Sequence, residues 1–399
     1  MFSYKKKIDS NLKYYLLKNA YKSYRVLIKY KNFQSSIIKK INSYKGFVYF
    51  TIDSINIISA ELNARGIDRI SEYPEVEKIY LDEYLFLSGI SVNTANKVYF
   101  SDKLKLNGNG IGIGLVDSGV FPHPDLLSPN NKIELFVDLI NNLKYPYDDN
   151  GHGTSIAGIL CSSGISSNNM YKGICSKSKL FCYKAFDQLG KGFASNILYA
   201  IDCLINMSEE HNIKLLCLPF ELLTHNVFII SCFENIFDYA ISKGIVPIVP
   251  SGSNSNNKYS ILGISTLSNC ISVGGLNTSA NLIVPYKFSS AGPYEKFIKP
   301  DLCAACVNIV SLNSDLNYIS ERNGVKLYPK KLDTPHKTFS GTSLATAYIC
   351  GICALLFEKK PDMTFKDIVS LLKVGCTSIE NIPKYIQGNG TIDIKKILN

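Results

Sequence analysis

From Gly110 onward the chain alternates short apolar runs with amphipathic stretches, and this alternation leaves few folds open to it. GIGIGLVD (110–117), SKLFCYKAF (178–186), KLLCLPF (214–220), IVPIVP (245–250) and CISVGGL (270–276) read as strands. ASNILYAIDCLINMSEE (194–210) and NIFDYAISKG (235–244) read as helices between them. Such strand–helix alternation implies a mostly parallel sheet with helices on both faces. In that architecture reactive groups belong at the carboxyl ends of strands.

A different order precedes this segment. YRVLIKY (24–30) alternates as a strand, 33–44 reads as a helix, and FVYFTID and INIISAEL as two more strands. Ala64 to Tyr73 reads as a second helix and VEKIYLDEYLFL as a last strand. The resulting β-α-β-β-α-β order is that of a small ferredoxin-like α+β domain. Four parts are therefore expected: an N-terminal extension (1–23), the small domain (24–87), a polar linker, SGISVNTAN (88–96), and a large α/β domain (97–399).

The composition, 46% apolar and 19% charged, suits a chain that buries a large core. The net charge is +10, and residues 1–95 hold 15 Lys and Arg against 9 Asp and Glu. The chain is also rich in Asn, Ile and Tyr, residues that A/T-rich codons favour together with Lys. The charge is thus read as a solvated surface, with neither a nucleic-acid nor a membrane partner expected. No signal-type apolar run follows MFSYKKKIDSNLKYYLLKN, and no charge-free apolar stretch of about 18 residues occurs. The twelve cysteines lie between Cys161 and Cys376 without the spacing of a disulfide scaffold, so a cytoplasmic, reducing location is expected. Two Cys-x-x-Cys pairs, Cys303/Cys306 and Cys350/Cys353, are read as packing residues and not as metal ligands, the second because it sits in the apolar run YICGICALLF.

Three residues carry chemistry. Asp117 ends GIGIGLVD. His152 lies in DDNGHGTSIAGI, where Gly151 and Gly153 let the backbone turn closely around it. Ser343 lies in FSGTSLATAYICGICALL, a glycine-containing turn that feeds the N-terminus of an apolar helix. Free N–H groups and partial positive charge at a helix N-terminus suit a developing oxyanion.

Together GIGLVDSGV, NGHGTSIAG and SGTSLATA resemble the signatures of the subtilisin-like (subtilase) serine proteases, in that family's order of acid, imidazole and nucleophile. The likeness runs from about Asn107 to Leu372, with FSSAGPYEKFIKPDL (288–302) as a further block, and PYDDNGHGT is similar to the intracellular AprX-like subgroup. The resemblance implies a catalytic triad of Asp117, His152 and Ser343 and a polypeptide substrate. It implies no required cofactor or metal. Many members bind structural calcium, but no full ligand set can be matched here. It also implies that residues 24–87 are a pro-domain acting as an intramolecular inhibitor, with self-cleavage between Leu87 and Lys97.

The sequence departs from the family around the substrate cleft. Where Ala-Gly-Asn is usual, the chain reads IVPIVPSGSNSNN, which leaves Ser253 in the place of the oxyanion Asn and Asn254 one position late. The resemblance assigns substrate binding to Leu218, Pro219 and Phe220 on one wall and Ser251 and Gly252 on the other. Cys217, Pro219, Phe220 and Glu221 replace the usual Asn-x-Ser-x-Gly, and Pro250 enters the second wall. Proline lacks the N–H that pairs with an extended peptide. Ala347 stands for the usual Pro and Ser155 for the usual His. Two functions are compatible with these changes: an active endopeptidase, or a weak or inactive pseudoprotease acting as a binding or regulatory module.

Overall fold

The computed structural model describes residues 7–53, 56–82, 95–96, 106–223, 226–279, 282–293 and 298–398. The chain divides into two compact units, Met1–Phe86 and Leu87–Asn399.

In the first unit β1 (Tyr24–Tyr30), β2 (Phe47–Ile52), β3 (Ile57–Leu62) and β4 (Val76–Leu81) form one antiparallel sheet in the order β2-β3-β1-β4. The period-two pattern of β1 decides its orientation: Tyr24, Val26, Ile28 and Tyr30 are buried while Arg25 and Lys29 face solvent. Against this face pack Ile37 and Ile41 of the Gln34–Ser43 helix and Ile67 and Ile70 of the Ala64–Ser71 helix. Asn63 caps the second helix by accepting from Gly66 N at 2.8 Å. The stretch set apart as an N-terminal extension joins this core, for Ile8 and Leu12 are buried in it and Asp9 N donates to Ile79 O. Each such buried aliphatic contributes about 1.5–3 kcal/mol. Of the expected linker only Ala95 and Asn96 lie among the described residues. Ala95 is buried in the core of the second unit, and Asn96 Oδ1 accepts from Ala305 N at 2.8 Å. The rest of the linker, with the last part of VEKIYLDEYLFL, lies outside the described residues.

The second unit is built on a sheet whose central strands are parallel: β5 (Gly112–Asp117), β6 (Ile133–Asp138), β7 (Lys179–Lys184), β8 (Ile213–Cys217), β9 (Val246–Pro250), β10 (Ile271–Asn277) and Leu302–Ala305. Their order is β6-β7-β5-β8-β9-β10, followed by Leu302–Ala305. The chain thus leaves β5 towards one edge, returns through β7, and crosses β5 to build the other half from β8. Strand order reverses at β5, and a crevice opens at the carboxyl ends there. All six residues of β5 are buried, as a strand covered on both faces requires.

Two apolar layers cover the sheet. Ile197, Ile201 and Leu204 of the Ala194–Asn206 helix and Phe233 and Phe237 of the Val227–Ser242 helix fill one. The His152–Cys161 and Thr342–Lys359 helices fill the other. The Thr342–Lys359 helix is long and apolar enough to cross a membrane by length and composition alone, but it is a core helix, with Leu344 to Phe357 buried. Cys350 and Cys353 lie on it, and both are fully buried.

Candidate active site

Each part of the site comes to the crevice on its own element. Asp117 is the last residue of β5 and is 4% exposed. His152 opens the His152–Cys161 helix, after Gly151 in the left-handed region (φ 89°). Ser343 stands in the first turn of the Thr342–Lys359 helix. His152 Nδ1 lies 2.8 Å from Asp117 Oδ1 and 3.0 Å from Oδ2, and Nε2 lies 2.9 Å from Ser343 Oγ. These residues, separated by 35 and 191 positions, form one continuous hydrogen-bonded line.

The approach of His152 to Asp117 depends on the next residue having no side chain. A Cβ on Gly153 would stand 2.0 Å from Gly119 O and 3.1 Å from Asp117 Cβ. Burial opposes a charged His152, but the Asp117 charge, its hydrogen bond and the Asp148 charge outweigh it, so the pKa is raised.

Asp148 is the buried pin of the loop before His152. Its carboxylate is fully buried and accepts from Ser118 Oγ (2.9 Å), Asn150 N (3.2 Å), Gly151 N (2.8 Å), Thr154 N (2.8 Å) and Thr154 Oγ1 (2.6 Å). Burial pushes its pKa up, against the bonds from Thr154 and Gly151. Next to it, Asp149 pairs at 2.6 Å with Lys184 Nζ, which also donates to Ser118 O and Phe186 O. Lys184 is fully buried, so these three acceptors replace its water. Sequence reasoning missed these supports. The available signal was the run of two acids before Asn-Gly-His, but neither burial nor donors can be read from it.

On the substrate side, Leu218 is buried and donates its N–H to Ile248 O at 3.0 Å, with Pro219 beside it. Phe220 packs at a tilt against Phe186 and Phe233, with ring centroids 5.3 and 6.3 Å away. Ser251 is buried, with its N–H on Val273 O. Gly252 takes φ 103° and accepts from Thr342 Oγ1 at 3.3 Å, which ties this wall to the residue before Ser343. Both candidate oxyanion residues are exposed and already engaged. Ser253 N donates to Glu221 Oε2 at 2.8 Å and Ser253 Oγ to Oε1, while Asn254 Nδ2 reaches Ser260 O at 3.4 Å.

Among the described residues no three His, Cys, Asp or Glu side chains converge as a metal-ion set, so no residue is assigned to calcium. Cys303 and Cys306 are buried, and burial pushes both thiols up, Cys306 to about 12.

Known proteins share this arrangement of strands, and the sequence likeness runs through it. The model of the "Subtilase family" matches residues 108–390. "Serine protease AprX" of Bacillus subtilis is 31% identical over 356 residues, spanning 86% of this chain and 78% of that protein. The "Thermostable alkaline protease" of Halalkalibacterium halodurans is 22% identical, spanning 93% of this chain and 90% of that one. Among solved structures, fervidolysin from Fervidobacterium pennivorans has a TM-score of 0.59 at 18% identity, covering 95% of this chain and 61% of that one, a likeness of fold. A family match across most of the second unit, a relative above 30% identity along most of both chains, and the same fold make this chain a member of the subtilase family.

Proposed function

We propose that the chain is a serine endopeptidase that hydrolyses peptide bonds through an acyl-enzyme. The observation that carries this reading is the line from Asp117 through His152 to Ser343, at 2.8 and 2.9 Å. Ser343 Oγ attacks the peptide carbonyl while His152 Nε2 takes its proton. The tetrahedral intermediate collapses, His152 returns the proton to the leaving amine, and water then releases the acyl group by the same steps in reverse. Asp117 fixes the imidazole tautomer and stabilises its charged form. The Ser343 N–H, free at the helix N-terminus, supplies one oxyanion donor. The second comes from Asn254 or Ser253 after the loop adjusts.

The first unit is proposed as the inhibitory pro-domain, with cleavage between Leu87 and Lys97. A reducing, cytoplasmic location is proposed from the cysteines, all twelve unpaired and nine of them buried. The second reading, a weak or inactive subtilase serving as a binding or regulatory module, has one observation in its favour: the Ser253 donors are spent on Glu221.

Labelling of the full-length chain with a fluorophosphonate probe, beside Ser343→Ala and with intact mass read in parallel, separates the two. Labelling lost in the variant, with release of a fragment of about 90 residues, is expected of the protease and its pro-domain. A folded chain that neither labels nor matures is the pseudoprotease.

A further inference from the structure

The segments after β8 and β9 leave adjacent parallel strands and form the two sides of the crevice beside Ser343. Glu221 spans them, its carboxylate meeting Ser253 N and Oγ on the opposite side. The close approach depends on Gly252, where a Cβ would stand 2.8 Å from Glu221 Oε2. Gly252 in turn accepts from Thr342, the neighbour of Ser343. The carboxylate is therefore held on the loop that Thr342 ties down beside Ser343, on the substrate side of the nucleophile.

Among the described residues no cation answers its charge. The buried Lys184 faces Asp149 and the buried Lys299 faces Asp301, each at 2.6–2.7 Å. Glu221 has two neutral donors, and among the described residues no Lys, Arg or His nitrogen lies within 4 Å of it. The Ser253 bonds hold the carboxylate in place without neutralising it, and a carboxylate has about four lone-pair sites, so acceptor capacity remains. A cation fits that position, and Arg fits best because its fork can engage a carboxylate twice.

We infer that Glu221 is the specificity-determining residue of this protease and selects peptides with Arg or Lys immediately on the acyl side of the scissile bond. This rests on the protease reading above. A charge-assisted contact of this kind is worth roughly 10- to 100-fold in kcat/KM.

The test uses fluorogenic peptides that differ only at that residue, carrying Arg, Lys, norleucine or Glu, with wild type, Glu221→Gln and Glu221→Lys. The expected result is a preference of roughly 10- to 100-fold for Arg and Lys over norleucine. It should collapse towards one in Glu221→Gln and turn towards Glu in Glu221→Lys. The inference is overturned if wild type shows no basic preference or if the preference survives in Glu221→Gln. It is also overturned if Glu221→Gln slows every peptide equally, for Glu221 would then only hold the Ser253 loop. If the chain cleaves nothing and takes no probe, the protease reading fails by itself. Fluorescence anisotropy of the same labelled peptides on the full chain then decides: about tenfold tighter binding of the Arg peptide, lost in Glu221→Gln, upholds the carboxylate's selectivity. Equal affinities overturn it.

Discussion

The two sides of the crevice are held in different ways. On the triad side the supports are buried: Asp148 takes five hydrogen bonds, Lys184 makes three, and Gly153 lets the backbone close on Asp117. On the other side a part-exposed Glu221 reaches an exposed Ser253, and the Asn254 side chain makes one long bond to its own loop while its N–H donates to Ser290 Oγ at 2.8 Å. Buried polar groups are costly to disturb singly, whereas exposed ones exchange partners with water at little cost. The triad side is thus fixed by many mutual constraints, and the substrate side is free to change in pairs. Of the family departures, Glu221 and Ser253 lie where such change is cheap, whereas Ser155, Cys217, Pro219, Pro250 and Ala347 are buried.

Four substitutions test the contrast, taken from the largest effect down. Ser343→Ala should abolish probe labelling and lower kcat by about a million-fold, the loss found for the nucleophile of subtilisin. Asp117→Asn should cost about 10⁴ in kcat with the fold intact, by circular dichroism, because the imidazole loses its tautomer. The same variant has a pH signature. His152 must be neutral to accept the proton, and its raised pKa puts the rise of kcat/KM above the ordinary histidine value of 6.5. Removing the Asp117 charge should move that rise to lower pH.

Asp148→Ala should be the most destabilising of the four, because it strands five donors. A loss on the order of 3 kcal/mol or more is expected, read as a lower urea midpoint, and activity should fall with it. An unchanged midpoint would remove the distinction between the two sides. The smallest effect is expected from Ser253→Asn, which restores the usual amide on the adaptable side. A gain of about tenfold in kcat is expected, a fraction of the roughly hundred- to thousand-fold that one well-placed oxyanion donor is worth. No gain, combined with a loss in Asn254→Ala, would show that Asn254 already serves.

What the sequence discloses follows the same division. Strands β5, β7, β8, β9 and β10 were legible because each is a bounded apolar run, and the first unit because the two faces of β1 differ in hydropathy. The alternation did not single out β6, whose burial is partial, nor the exposed hairpin pair Glu321–Arg322 and Val325–Lys326. Ile8 and Leu12 were read as an extension because a helix of eight residues, Ser10–Leu17, carries little periodic signal. The triad residues sit in local patterns of glycine and small residues, since the close approach of backbone is itself local. Asp148 and the pair Glu221–Ser253 leave no such trace. One depends on burial, and the other joins residues 32 apart whose types alone say nothing of contact.

The long helix behind Ser343 ties the nucleophile to the molecule's overall stability. Amide exchange in its buried turns requires opening the centre of the core, so those amides should exchange only in the rarest, largest openings. The amides around Ser253, on an exposed loop, should exchange through small local ones. As denaturant rises, substrate selection is therefore expected to degrade first. The reactive serine should persist until the unit unfolds as a whole.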